Sequence, residues 1–181
     1  NRPRHDSLTQ LYNNRTGKEL IDRYLQAKDP YASCGMLVID LDFFKNVNDC
    51  YGHLFGDKVL QEFARLLRTL FRSSDILVRF GGDEFVLCFT NHDDIANIEN
   101  ISMDIINELY EGYTTADGAM HIDVKASIGV AFCPEHTEDV NELLSFADTA
   151  MYFVKKNGKT NYHIYIPEDS ATDEYIDPEG F

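Results

Sequence analysis

ILVRFGGDEFVLCF, residues 76–89, carries two apolar runs, 76–80 and 85–89, on either side of Gly81, Gly82, Asp83 and Glu84. Such runs joined by a short Gly- and Asp-bearing link read as a β-hairpin with positive backbone angles at its tip. The tip presents two acids. Upstream, GMLVI, residues 35–39, is an unbroken apolar run that ends in Asp40. An apolar run without alternation reads as a central strand covered on both faces, with the Asp40 carboxylate at its C-terminal end. If that strand neighbours the hairpin, Asp40 and Asp83 converge on one point.

Nearer the N-terminus, Asp6 or Ser7 is expected to cap a helix running to about Ala27, with Leu20, Ile21, Tyr24 and Leu25 on one face and Asp29 and Pro30 as its stop. Val59, Leu60, Phe63, Ala64, Leu67, Leu70 and Phe71 keep helical spacing and predict an amphipathic helix. Ile95, Ile98, Ile105, Ile106 and Leu109 predict another. Ile122, Val124, Ala126, Ile128, Val130 and Phe132 alternate as an antiparallel strand, and Val140, Leu143, Leu144, Ala147, Met151 and Val154 mark a last long helix before a strand over 162–166. Hairpins mixed with helical crossovers imply the α+β class, a sheet with helices packed on it, rather than a doubly wound parallel sheet.

With 181 residues, 44% of them hydrophobic, the chain is long enough for one well-packed core and short for two. One domain is expected over 1–167. Residues 168–181 hold six acids and no Lys or Arg, which predicts a mobile acidic tail. The formal charge of -15 argues against a nucleic-acid-binding surface, since neutralising phosphates takes clustered Lys and Arg. Cys34, Cys50, Cys88 and Cys133 lack the close spacing of zinc or redox motifs and are expected to be buried free thiols in a reducing cytoplasm. No apolar run approaches the roughly 20 residues of a membrane helix. The chain begins without Met, with Arg2 and Arg4 ahead of the first helix signal, which reads as a piece of a longer protein.

Hard carboxylate oxygens at a shared point suit Mg²⁺, which prefers a few protein ligands completed by phosphate oxygens. Two converging acids in so acidic a chain therefore point to a nucleotide as the source of the remaining ligands. A lone Asp at a strand end is usually a turn or cap residue, and a Gly-Gly-Asp turn is usually only a hairpin. The joint pattern is far more specific: Asp40-x-Asp42-x-Phe44-Lys45, then Asn48, Gly52-His53 and Gly56-Asp57, then Arg79-x-Gly81-Gly82-Asp83-Glu84-Phe85.

These segments resemble the GGDEF family of diguanylate cyclases. The resemblance runs from DSLTQLYNNR (residues 6–15) through ASIGVAF (126–132) to ADTAMYFVKKNGK (147–159). It implies a five-stranded, mostly antiparallel central sheet surrounded by helices, related to the palm of polymerases and nucleotidyl cyclases. It further implies that two GTP molecules, one on each protomer of a homodimer, become cyclic di-GMP and two pyrophosphates. On that reading Asp40, the Leu41 carbonyl and Asp83 hold Mg²⁺ (or Mn²⁺), and Asp83 or Glu84 accepts the proton. The loop from Phe43 through Phe44 to Lys45 opens a helix whose free backbone donors suit the β and γ phosphates. Gly81 and Gly82 fall at substrate-binding positions, and Lys45, Lys155 and Lys159 add cationic partners. Asn48 and Asp57 match the guanine-reading pair, since Asp can accept from guanine N1 and N2 while Asn reaches N3 and N2. His53 matches a substrate-contacting position.

RSSD, residues 72–75, stands six residues ahead of Gly81, the family spacing of an inhibitory site in which Arg72 and Asp75 take cyclic di-GMP. The structural alternative is a surface ion pair worth at most about 1 kcal/mol. The family commonly reads DxLTGLxNRR near its start and KxxGRN near its end; here Gln10, Asn14, Lys159 and Thr160 depart from it. Lys for Arg keeps the charge but loses the bidentate fork. The sequence is compatible with an active cyclase attached to an N-terminal sensory or regulatory region, with a GGDEF module that binds GTP or cyclic di-GMP as a sensor, and with a different palm-type enzyme.

Overall fold

In the computed structural model, which describes residues 2–90 and 95–171, the expected central strand is β2 (Cys34–Asp42), and all nine of its residues are buried. It lies antiparallel between β4 (Glu84–Phe89) and β7 (Lys125–Cys133). β3 (Ile76–Gly81) closes the hairpin with β4. β1 (Tyr12–Asn13) and β8 (Tyr162–Ile164) pair in parallel at the two edges, giving the order β1-β3-β4-β2-β7-β8. The sheet thus has six strands where five were expected, because the two-residue β1 is too short to carry any alternation.

Alternate side chains of β2 serve two cores, as the pleat dictates. Leu37, Ile39 and Leu41 pack with Phe63 and Leu67 of α3 (His53–Leu70) and Ile98 and Ile105 of α4 (Ile95–Tyr110). Met36 and Val38 pack with Ile21 of α1 (Asn14–Ala27) and with Leu143, Ala147 and Met151 of α5 (Val140–Lys156). Asp40 and Asp42 continue this second row, so they end it on the side that α5 covers. The contact between α5 and β7 is backbone against backbone: a Cβ at Gly129 would stand 1.9 Å from the Ala147 carbonyl oxygen and 2.3 Å from the Met151 nitrogen. That close approach sets the height of α5 above the sheet and brings Lys155, one turn past Met151, down to the ends of the strands.

Three expectations shift. The first helix starts at Asn14, capped by Asn13, and not at Asp6 or Ser7. Asp6 instead accepts from the backbone and hydroxyl of Thr9, both at 2.8 Å, and Gln10 then takes a positive φ of 64°, so the turn closes on itself. Helix α3 begins at His53, well ahead of Val59, because only Gly52 (φ 87°, ψ 161°) separates it from α2 (Phe44–Tyr51). The alternating stretch from Ile122 is not one strand. Residues 121–122 form β6 (His121–Ile122), which pairs with β5 (Tyr113–Thr114) in a separate ribbon, and β7 starts at Lys125.

Cys34, Cys88 and Cys133 are buried and unbridged, as expected, whereas Cys50 is exposed. No helix among the described residues is long and apolar enough to cross a membrane. Pro167–Ala171 form a 3-10 turn whose Asp169 is buried and accepts from the Ile166 N–H at 2.9 Å. Residues 172–181 of the expected acidic tail lie outside the described residues.

Candidate active site

Register places the acids. Asp40 stands opposite Glu84 on β4 and opposite Ser127 on β7, and the Leu41 N–H donates to the Asp83 carbonyl at 3.3 Å. The central strand therefore runs alongside the hairpin tip, and both carboxylates sink into the same corner, each 7% exposed. Among the described residues, Asp40 Oδ1 and Asp83 Oδ2 are buried and find no hydrogen-bond donor. Orphaned buried carboxylate oxygens are costly. Burial, reinforced by the charge of Asp83, pushes the Asp40 carboxyl up to about 8. Burial likewise raises Asp83.

A cation in this corner would relieve both groups, and the donor set fits a hard divalent ion. Among the described residues no cluster of three or more His, Cys, Asp or Glu side chains could hold a metal. Backbone, water or ligand oxygens must then complete a magnesium shell, which is the usual arrangement for that ion.

Lys155 is drawn into the same cluster. Its Nζ lies 3.4 Å from Asp40 Oδ2 and 3.7 Å from Asp42 Oδ1, and its side chain is only 6% exposed. Burial opposes its charge, but Asp40 and Asp42 outweigh that and hold its pKa above the usual value. Sequence reasoning offered Lys155 as a phosphate partner; the structure seats it among the carboxylates.

Asp42 received no role from sequence, although the Asp-x-Asp spacing on a buried strand signals two acids on one face. Its Oδ1 accepts from Ser127 Oγ at 2.7 Å, and its Oδ2 accepts from the backbone and hydroxyl of Thr160 at 3.1 and 3.2 Å. It thereby ties the loop after α5 to the sheet. Glu84 is half-buried, and burial, with Asp148 and Asp83 nearby, raises its carboxyl to about 7. Asp148 was also missed; burial raises it to about 6, and its spacing of two helical turns from Lys155 was the available signal.

The hairpin tip is strapped from behind. Arg79 donates to the Gly82 carbonyl from Nε and Nη2 at 3.1 and 2.9 Å and pairs with Asp6 at 3.2 Å. Asp6 thus has a firm partner despite the Asn14 departure. Among the described residues, ideal Cβ atoms at Gly81 and Gly82 would meet nothing within 4 Å, and Gly82 has a φ of 35°. The front of the turn is open.

Phe43 adopts the left-handed conformation (φ 60°) before α2, and no side chain among the described residues caps that helix. Free N–H groups at the start of a helix suit an anion. Lys45 is exposed in the first turn, and Lys159 Nζ sits 4.1 Å above the Phe43 ring, so two cations attend this end. Phe44 is 7% exposed and belongs to the core. Asn48 of α2 and Asp57 of α3 are both half-buried, and His53 is exposed at the start of α3.

Arg72 and Asp75 lie apart from this group, at the opposite end of β3 from Gly81. The six residues of β3 separate the two by roughly 20 Å. Asp75 accepts from the Arg72 N–H at 3.0 Å and the Thr90 N–H at 3.1 Å. Both residues border a cleft of about 350 Å³ that Arg68, His5 and Tyr12 also line.

A mixed sheet thus brings a central-strand acid and a hairpin-tip acid to one buried corner of an α+β domain, beside the start of a helix that has no side-chain cap among the described residues. The chain belongs to the GGDEF family: residues 4–161 match the family described as diguanylate cyclase, GGDEF domain. It is 34% identical over 163 residues to the cyclic di-GMP phosphodiesterase PdeR of Escherichia coli (strain K12), covering 90% of this chain and 24% of that protein. It is 34% identical over 171 residues to the probable diguanylate cyclase DgcE of the same strain, covering 92% and 15%. The isolated GGDEF domain of TpbB from Pseudomonas aeruginosa superposes with a TM-score of 0.87 at 33% identity, covering 92% of this chain and 97% of that one. The chain spans 24% and 15% of the two curated relatives' length.

Proposed function

We propose that this domain is a diguanylate cyclase, which condenses two GTP molecules into cyclic di-GMP and two pyrophosphates. The observation that carries the reading is that Asp40 and Asp83 lie against one another at the hairpin tip, each with a buried oxygen, Asp40 Oδ1 and Asp83 Oδ2, that meets no donor among the described residues. With the Leu41 carbonyl they would hold Mg²⁺ (or Mn²⁺). When bound, that ion supplies Lewis-acid chemistry, easing deprotonation of the attacking hydroxyl and neutralising charge on the phosphoryl group.

The chain's own residues divide the remaining work. The free N–H groups before α2, with Lys45 and Lys159, hold the β and γ phosphates. Asn48 and Asp57 read guanine, with His53 and Phe43 at the rim. Lys155 keeps Asp40 and Asp42 oriented as their counter-ion. Each GTP sits on one protomer of a homodimer. The 3′-oxygen of one forms a bond to the α-phosphorus of the other, the bond from that phosphorus to the β-bridging oxygen breaks, and pyrophosphate leaves. The hydroxyl proton passes to Glu84, which no metal role occupies, and a second identical step closes the ring. Arg72 and Asp75 take cyclic di-GMP as a feedback inhibitor, a reading supported by the cleft beside them. Reduced buried thiols and a GTP substrate suit the cytoplasm, and an attached N-terminal region would supply control.

A second reading has one observation in its favour: the relative PdeR bears the name of a phosphodiesterase. On that reading the domain binds GTP or cyclic di-GMP as a sensor without turnover. Incubation with GTP and Mg²⁺ at high protein concentration decides between them. Cyclic di-GMP and pyrophosphate from GTP, with no product from ATP, are expected. Nucleotide binding without product would establish the sensor, and undiminished turnover at saturating cyclic di-GMP would remove the inhibitory role of Arg72 and Asp75.

A further inference from the structure

Asn48 and Asp57 come from different helices, so something must hold α2 and α3 at the separation that lets both reach one base. The two helices are joined by Gly52 alone and fold back against each other. At their crossing stands Gly56, buried and inside α3. A Cβ placed on Gly56 would lie 1.9 Å from Asn48 Oδ1 and 3.1 Å from its Cγ, with Phe44 Cζ at 3.2 Å. No real Cβ tolerates the first distance. The atom in the way is the tip of a side chain and not backbone, so the Asn48 amide must swing aside while the helices stay where they are.

Among the described residues no hydrogen bond holds the Asn48 side chain. The amide is placed by packing over the bare backbone of Gly56, and its donors and acceptor are left for a ligand. Gly56 adjoins Asp57 in sequence, so the residue that seats one half of the pair also carries the other half.

We propose that Gly56 is a specificity-determining positioning residue: the missing side chain at 56 sets the Asn48 amide against the purine edge next to Asp57, and any larger residue there weakens selection of guanine without touching the reacting atoms. The proposal rests on the reading of Asn48 and Asp57 as the guanine pair. Gly56 matters here through contact rather than backbone freedom, since its helical conformation is open to any residue. A methyl group at this site is compatible with the helix and is favoured by intrinsic propensity. Its consequence falls on Asn48, with a minor adjustment of the Phe44 ring.

The test is steady-state kinetics at fixed protein concentration on wild type, Gly56→Ala, Asn48→Ala and the double variant, with GTP and with inosine triphosphate, which lacks the 2-amino group. Losing the Asn48 hydrogen bonds is expected to raise KM for GTP about five- to tenfold in either single variant, with kcat nearly unchanged. The double variant should be no worse than Asn48→Ala alone, because both changes remove the same contact. The preference for GTP over inosine triphosphate should narrow in Gly56→Ala. An unchanged KM in Gly56→Ala beside a raised one in Asn48→Ala overturns the inference and leaves the guanine reading standing. Unchanged values in both sink the two together, and single effects that multiply in the double variant show that Gly56 acts elsewhere. Should Gly56→Ala fail to fold, adding Asn48→Ala removes the obstructing atoms and must restore folding; a double variant that stays unfolded also overturns the proposal.

Discussion

Asp75 and Asp83 stand at opposite ends of β3 and are equally hidden, 8% and 7% exposed, yet their carboxylates meet very different surroundings. Asp75 points its two oxygens at the backbone N–H groups of Arg72 and Thr90, and so closes the turn that leads into the hairpin. Asp83 sits beside Asp40 with an oxygen that meets no donor among the described residues. A carboxylate whose lone pairs are matched by buried donors stabilises a fold, while one left unmatched near another destabilises it. Burial alone therefore distinguishes nothing; what the oxygens face does. The first arrangement is expected of architecture and the second of a site that waits for a cation.

The sharpest way to break this contrast is to neutralise each acid. Asp83→Asn should lower turnover by about a thousandfold or more, the scale of several kcal/mol of lost charge stabilisation. In metal-free buffer the same variant should be more stable than wild type. Burial raises the Asp40 carboxyl to about 8 and raises Asp83 above its usual value, so the folded state resists ionisation that the unfolded chain accepts near 3.8, and the burden grows as pH rises above about 4. The gain in Tm should grow over that window, at about 2–4 °C per kcal/mol for a domain of this size. Adding Mg²⁺ should raise the Tm of wild type and not that of the variant. A variant less stable than wild type at pH 8 would show that the corner is not strained.

Asp75→Ala should do the reverse. Two backbone donors lose their acceptor, Thr90 being only 4% exposed, and stability should fall by about 1–3 kcal/mol. The folded fraction should retain turnover. Chemical denaturation reads the first and product per folded molecule the second; a neutral Asp75→Ala would erase the distinction between the two ends of β3.

Gly129→Ala tests how the two regions are held in one frame. Its Cβ would press on the backbone of α5 at Ala147 and Met151, which cannot rotate away as the Asn48 side chain can. Overpacking of about 1–3 kcal/mol is expected, with loss of activity as α5 lifts Lys155 from Asp40 and Asp42. Activity that survives intact would mean that Lys155 does not depend on the height of α5.

The legible parts of the molecule were those written locally. The places of Asp40 at a strand end and Asp83 at a turn were legible because an unbroken apolar run and a Gly-rich link announce them. Asp42 stayed hidden because its partners, Ser127 and Thr160, lie 85 and 118 residues away, and nothing in a linear pattern ties those positions together. Cys34, Cys88 and Cys133 read as scattered, yet β4, β2 and β7 are neighbours, and the register sets Cys34 directly opposite Cys133. The start of α1 was misread for the same reason. Asp6 followed by Thr9 fits a helix cap in sequence, but the group that settles its role is Arg79, 73 residues further on.

That pair gives the smallest effect and a clean sign. Thr9 and Arg79 together hold the Asp6 carboxyl below its usual value, outweighing the opposing effect of burial. A depressed folded value contributes stability above the unfolded value of 3.8 and loses it as pH falls through the folded one. Asp6→Asn should therefore cost stability at pH 7, and the difference from wild type should shrink below pH 3.8 and vanish in stronger acid. The pair is partly exposed, 16% and 21% for its side chains, which limits the cost to about 1 kcal/mol. Because Arg79 also holds the Gly82 carbonyl, its fork loses one of two anchors, and the tip that presents Asp83 should loosen. A modest fall in kcat that tracks the same pH window as the stability loss would tie the N-terminal turn to the hairpin that carries Asp83, whereas a stability loss without any change in kcat would confine Asp6 to a purely structural role.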